Sequence, residues 1–185
     1  MTLEGYPLQP ESITAYIGIG SNLGDRAGNL LLAVRGLIEA SFTVSKLSAV
    51  YETEAVGIGE APSFLNMAAE IRVPNITPAQ VMARLLRIEY LLGRRDKLQK
   101  KPRTADLDLL FFGREHIESE FLTVPHPRIH LRRFVLVPMA EIAPNFVHPV
   151  LLREIRDLLA ETDDQSCVAR WNPLSEAMAV DHSNG

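Results

Sequence analysis

The stretch "KPRTADLDLLFFG", Lys101–Gly113, together with the "REHIESEFLTV" that follows it, Arg114–Val124, decides the reading of the fold. An apolar run of strand length stops at a glycine, and a second strand-like pattern begins at once. Such a connection is too short for a parallel crossover, which needs roughly a dozen residues or more. Upstream, "FTVSKLSAVYET" (Phe42–Thr53) is rich in β-branched residues and reads as one strand. "FLNMAAEIRV" (Phe64–Val73) is the next, after a loop of about ten residues. The pairs 42–53 with 64–73, and 105–112 with 114–124, therefore predict antiparallel ladders. With helical patterns between them, the class is α+β, a largely antiparallel sheet flanked by helices.

The helices are legible by period and punctuation. Leu30, Ala33, Val34, Leu37 and Ile38 recur at helical spacing after the strand "AYIGIG". Thr77, Pro78 and Gln80 give a second helix its N-cap, its first-turn proline and a capping-box partner. Val81, Leu85, Ile88 and Leu92 form its apolar stripe, and Gly93 stops it. "FVLVPMAEIAP" is expected to be helical in its second half, and Leu151–Ala160 to be a further helix. The domain reading is a flexible arm over 1–13, a single domain over 14–162, and a polar, irregular, mobile tail over 163–185.

The 185 residues suit one domain with a sizeable core. A hydrophobic fraction of 46% and a charged fraction of 23% are ordinary for a globular chain. The net charge of −4 gives no general attraction to nucleic acid or anionic membrane. Cys167 is the single cysteine, so no internal disulfide forms, which fits a reducing compartment. No apolar run spans a bilayer, and the opening residues lack a signal pattern; the expected location is the cytoplasm.

Asp106 and Asp108 share one face of their strand, roughly 7 Å apart at Cα. Two such anions repel unless a cation sits between them. A pair of magnesium ions, about 4 Å apart, would fit. Magnesium takes one or two carboxylates and completes its shell with water and phosphates. Arg94, Arg95, Lys97, Lys100, Lys101 and Arg103 supply cations for a polyphosphate. By spacing alone the pair reads equally well as aspartates in ion pairs at a strand end.

The other candidates carry plainer readings beside the functional ones. "GIGSNLG" is not a dinucleotide fingerprint, because Leu23 stands where the third glycine belongs; it reads as a tight strand-to-helix turn with no phosphate role. His126 lies in a basic loop and could donate to a phosphate, or be only a loop residue. His130 and His148 lack partners at zinc-ligand spacing. Phe134 could stack on a flat ring or be core. Glu89, next to buried Ile88, reads as solvated.

Several stretches together resemble the 6-hydroxymethyl-7,8-dihydropterin pyrophosphokinases of folate biosynthesis. They are "YIGIGSNLGDR", "YETEAVG", "FLNMA", "RIEYLLGR", "PRTADLDLLFFG" and "LTVPHPRIHLRRFVLVPMAEIAP", in order from about Ala15 to Ala160. The resemblance implies a ferredoxin-like core. It implies transfer of pyrophosphate from ATP to the pterin hydroxymethyl group, with release of AMP. Asp106 and Asp108 match the ligands of two Mg2+ ions. Arg94, Arg103 and Arg132 match the basic groups at the transferred phosphates. Glu89, Thr123 and His126, with Arg94 and Arg103, match ATP contacts. Thr53, Val56, Gly57, Phe64, Asn66 and Phe134 match the pterin pocket, Phe64 standing where some members have tyrosine. The implied partners are the two small substrates, and the implied state is a monomer. There are departures. "KKPRT" replaces the frequent "RWGPRT", so a lid tryptophan is missing, and Leu86 replaces a glutamine. The rival class is a non-catalytic pterin or nucleotide binder with an impaired lid.

Overall fold

The computed structural model describes residues 12–53, 63–93 and 103–173. Strand β1 (Ile13–Ser21) leads to helix α1 (Arg26–Glu39), then strands β2 (Thr43–Leu47), β3 (Tyr51–Thr53) and β4 (Phe64–Val73). Helix α2 (Pro78–Leu91) precedes β5 (Asp106–Phe112) and two short strands, β6 (Ile117–Glu118) and β7 (Thr123–Val124). Helices α3 (Arg133–Ile142) and α4 (Ile155–Glu161) and strand β8 (Val168–Arg170) complete the order.

The main sheet runs β5-β1-β4-β3-β8, with β2 also paired to β4, and every pairing is antiparallel. This is the expected α+β class. Alternation along the strands builds two cores. Ile17, Ile19, Leu107 and Leu109 pack with Leu30, Leu37, Val81 and Leu85 of α1 and α2. Tyr16, Ala68, Leu110 and Phe111 pack on the other face with Leu136 and Met139 of α3 and Ile155 and Leu158 of α4. No helix among the described residues is long and apolar enough to cross a membrane.

Several expectations are corrected. Residues 105–112 do not pair with 114–124. β5 is apolar on both faces and takes β1 as partner, where helices cover both sides. β6 and β7 form their own small ladder, with Val124 of β7 buried in the core on the side of α1 and α2. The strand expected over 42–53 is broken at Ser48. Its N–H donates to the Ala68 carbonyl and its Oγ accepts from the Ala68 N–H, both at 2.9 Å, so a side chain occupies a ladder position. Ile38, which shares the helical spacing of α1, is 58% exposed. Helix α3 begins at Arg133, and α4 begins at Ile155 rather than Leu151.

The residues expected as an irregular tail include structure. β8 pairs with β3, and the Asp164 carboxylate accepts the Arg133 N–H at 2.7 Å, at the open start of α3. The boundary drawn at 162 thus falls inside the fold. The start of α2 is as read: Gln80 Oε1 accepts the Thr77 N–H at 2.8 Å, and Thr77 Oγ1 accepts the Gln80 N–H at 3.3 Å.

Candidate active site

Asp106 and Asp108 lie opposite Gly20 and Gly18 of β1. They alternate with Leu107 and Leu109, which face α1 and α2, so both carboxylates project on the α3 side of the sheet. Gly18 is covered by the Leu110 side chain, 3.4 Å from where a Cβ would sit, whereas Gly20 leaves space beside Asp106. At Gly20 that space is used: an added Cβ would sit 3.0 Å from Asn66 Oδ1 and 3.9 Å from the Phe64 ring. Gly20 therefore separates the carboxylates on one side from Asn66 and Phe64 on the other, with nothing bulky between.

On the Asn66 side, the pairing of β3 with β4 sets Thr53 opposite Phe64 and Tyr51 opposite Asn66. Asn66 Nδ2 donates to Thr53 Oγ1 at 2.8 Å, and both residues are buried. That bond fixes the amide's orientation and leaves Oδ1 directed at Gly20. Arg26 of α1 links Glu52 and Ser63 by donating to Glu52 Oε1 at 2.8 Å and Ser63 Oγ at 2.6 Å.

On the carboxylate side, Arg103 Nη1 donates to Asp106 Oδ2 at 2.5 Å. The ion-pair reading of the aspartates is thus realised at Asp106. Basic groups gather nearby. Arg132, half-buried at the start of α3, feels Asp108, Asp106, Arg103 and Arg128. Burial is the largest influence on it and works against its charge, but a guanidinium stays protonated. Its Cζ lies 5.6 Å from the centroid of the Phe134 ring.

The His126 N–H donates to the Leu110 carbonyl at 3.0 Å, which ties the loop after β7 to the open edge of β5. Burial pulls the imidazole below its usual range; Asp108 opposes this, while Arg132 and Arg128 reinforce it. Nδ1 accepts from the Arg128 N–H at 3.3 Å. A neutral ring with Nδ1 as acceptor carries its proton on Nε2, a donor suited to phosphate oxygen.

Glu89 departs from its solvated reading: it is 2% exposed, and Oε1 accepts the Leu107 N–H at 2.8 Å. It supports the strand between the two aspartates. Thr123 sits on β7, opposite Glu118. Arg94, Val56 and Gly57, like Lys97, Lys100 and Lys101, lie outside the described residues. Reading the sequence missed Arg26, Glu52, Ser63 and Asp164, whose roles exist only as tertiary contacts. A groove of ≈ 600 Å³ between α1 and α2 lies on the opposite face of the sheet and takes no part in this site.

Two carboxylates, two arginines and a histidine beside a surface bearing an amide and aromatic rings form a donor set with the chemistry to take a metal-bound polyphosphate next to a flat polar ring. A family model described as 7,8-dihydro-6-hydroxymethylpterin-pyrophosphokinase (HPPK) matches residues 16–144, and the chain belongs to this family. The 2-amino-4-hydroxy-6-hydroxymethyldihydropteridine pyrophosphokinase of Bacillus subtilis (strain 168) is 44% identical over 170 residues, covering 91% of this chain and 96% of that protein. The protein of the same name from Aquifex aeolicus (strain VF5) is 33% identical over 148 residues, covering 80% and 91%. Wild-type HPPK-DHPS of Plasmodium falciparum, solved with pteroate, matches with a TM-score of 0.66 at 16% identity, over 84% of this chain and 43% of that one. The chain spans less than half of that solved chain, and the likeness shows the ferredoxin-like α+β fold.

Proposed function

We propose that the chain transfers pyrophosphate from ATP to the hydroxymethyl group of 6-hydroxymethyl-7,8-dihydropterin, releasing AMP. The observation that carries this reading is the placement of Asp106 and Asp108 against Gly20 and Gly18, one strand from Asn66. It supports a charged end at Asp106 and a ring-binding end at Asn66 lying side by side across Gly20, which carries no side chain.

The donor set fits magnesium, since two carboxylates on one face leave the remaining positions to water and phosphate. Asp106 and Asp108 would hold two Mg2+ ions, which would supply neutralisation of phosphate charge and acidification of the pterin hydroxyl. Arg103 and Arg132 clamp phosphate oxygens, and Arg94 joins them. His126 donates from Nε2, and Thr123 lines the nucleotide side. Phe134 and Phe64 flank the pterin ring, while Asn66 reads its polar edge with its amide set by Thr53; Val56 and Gly57 complete that pocket. Glu89 supports β5 through the Leu107 N–H and stands on the nucleotide side. Water is the competing acceptor, so closure of the site around both substrates protects the transfer. Positioning and electrostatics supply most of the acceleration in phosphoryl transfer, so no covalent enzyme intermediate enters. The reading makes the enzyme a cytoplasmic monomer acting on these two small molecules.

The test is AMP release from ATP, followed with and without the pterin and with and without magnesium. AMP appearing only when both are present supports the reading. ATP and pterin binding without AMP would make the chain a non-catalytic binder.

A further inference from the structure

We infer that Asn22 is a positioning residue for Arg103, so that the "GSNLG" turn serves the phosphate end of the site. Asn22 follows the last residue of β1 and is 1% exposed. Its Oδ1 accepts the Arg103 N–H at 2.8 Å, and its own N–H donates to the Arg103 carbonyl at 3.1 Å. Both polar groups of the Arg103 backbone are thus held by one residue. The arginine in turn donates to Asp106 Oδ2 at 2.5 Å. Asp106 pairs with Gly20, two residues before Asn22.

These contacts close a circuit. β1 holds Asp106 through Gly20, Asn22 just after the strand holds Arg103, and the guanidinium and carboxylate meet across the gap. Fixing both ends on β1 and the residue that follows it sets where the Arg103 side chain starts and how far it reaches. Asn22 Nδ2, meanwhile, is buried with no hydrogen-bond partner among the described residues. An unpaired buried donor is costly, and its presence in a native structure calls for a reason beyond stability. The grip of Oδ1 on Arg103 is made beside that unpaired donor, and it needs an acceptor at this side-chain length while the backbone makes the other bond. A misplacement of about 1 Å in a phosphate-binding group is enough to cost up to about 100-fold in rate.

This inference rests on the pyrophosphoryl transfer proposed above, and wild-type AMP formation in the same assay tests that reading separately. The experiment is a double-mutant cycle on single-turnover AMP formation with Asn22→Ala and Arg103→Ala, with pterin affinity and thermal melting measured on each variant. Asn22→Ala is expected to slow turnover about 10-fold or more while leaving pterin affinity unchanged. In the Arg103→Ala background it should add less than about 2-fold, because no guanidinium remains to be placed. Asn22→Ser, whose hydroxyl is too short to reach the Arg103 N–H, should repeat the pattern and serves if the alanine variant does not fold. An equal slowing in both backgrounds would make Asn22 a scaffold residue acting independently of Arg103. Unchanged turnover in the single variants would overturn the inference as well.

Discussion

The Glu89 carboxylate accepts the Leu107 N–H at 2.8 Å, and Leu107 stands between Asp106 and Asp108. β5 is an edge strand of the main sheet, so amides on its outer side have no ladder partner. A buried glutamate from α2 takes one of them. Glu89→Ala would leave this N–H unsatisfied, at a cost of about 1–3 kcal/mol. The expected outcome is a melting temperature several degrees lower, a reduced kcat and a nearly unchanged pterin affinity. Glu89→Gln keeps an acceptor oxygen and should recover most of both losses. Equal damage from glutamine and alanine would show that the charge of Glu89, rather than its hydrogen bond, is needed.

Thr53→Val tests the ring-binding end. The substitution keeps shape but removes the Oγ1 that accepts from Asn66 Nδ2 at 2.8 Å. The amide then loses its fixed orientation and a buried donor loses its partner. Pterin affinity should fall about 10-fold, with ATP affinity unchanged, as read by fluorescence titration of each ligand. Equal loss of both affinities would place Asn66 outside the pterin site.

His148 gives the fold a dependence on pH. The ring is 5% exposed, and its Nδ1 accepts from the Val150 and Leu151 N–H groups, each at 3.2 Å. Burial first, then His130 and His116, push its pKa down from 6.5 to about 4. The folded state therefore disfavours the proton that the unfolded chain accepts. The stability this contributes is complete above pH 6.5 and is lost as pH falls toward about 4. The loss amounts to about 3 kcal/mol at most. His148→Asn keeps an acceptor for the two amides and does not titrate. Urea melts of both proteins near neutral pH and near pH 4 should show a smaller acid destabilisation in the variant. Identical acid sensitivity would contradict the assignment.

What the sequence makes legible follows from short-range periodicity. A strand period of two puts Asp106 and Asp108 on one face, and the Thr77–Gln80 box marks the start of α2. What it leaves hidden depends on which elements meet. Glu89 sits where a helical wheel assigns solvent, and only the docking of α2 beside the open edge of β5 makes it a buried acceptor. Asp164 belongs to a polar stretch without pattern, yet it bonds the first N–H of α3, next to Phe134. The glycines of "GIGSNLG" look like turn residues. Gly18 and Gly20 lie inside β1, as the strand reading of "AYIGIG" has them, but that Gly20 leaves room beside Asp106 depends on β5 lying next to it. The break at Ser48 turns on one hydroxyl meeting one distant amide, that of Ala68, and leaves no trace in local composition.

The central claim is that Asp106 and Asp108 hold the metal that carries the transfer. Its most direct test is single-turnover AMP formation by Asp106→Asn and Asp108→Asn at saturating magnesium, beside pterin binding and thermal melting. Both changes keep shape and remove charge, and each should lower the rate by roughly 10²–10³ or more, the scale for losing one well-placed electrostatic group. Pterin affinity should hold, and the double variant should be less than additive because both residues serve one cluster. The fold should survive, since removing one of two neighbouring anions relieves repulsion. Near-normal AMP formation by either single variant would contradict the account.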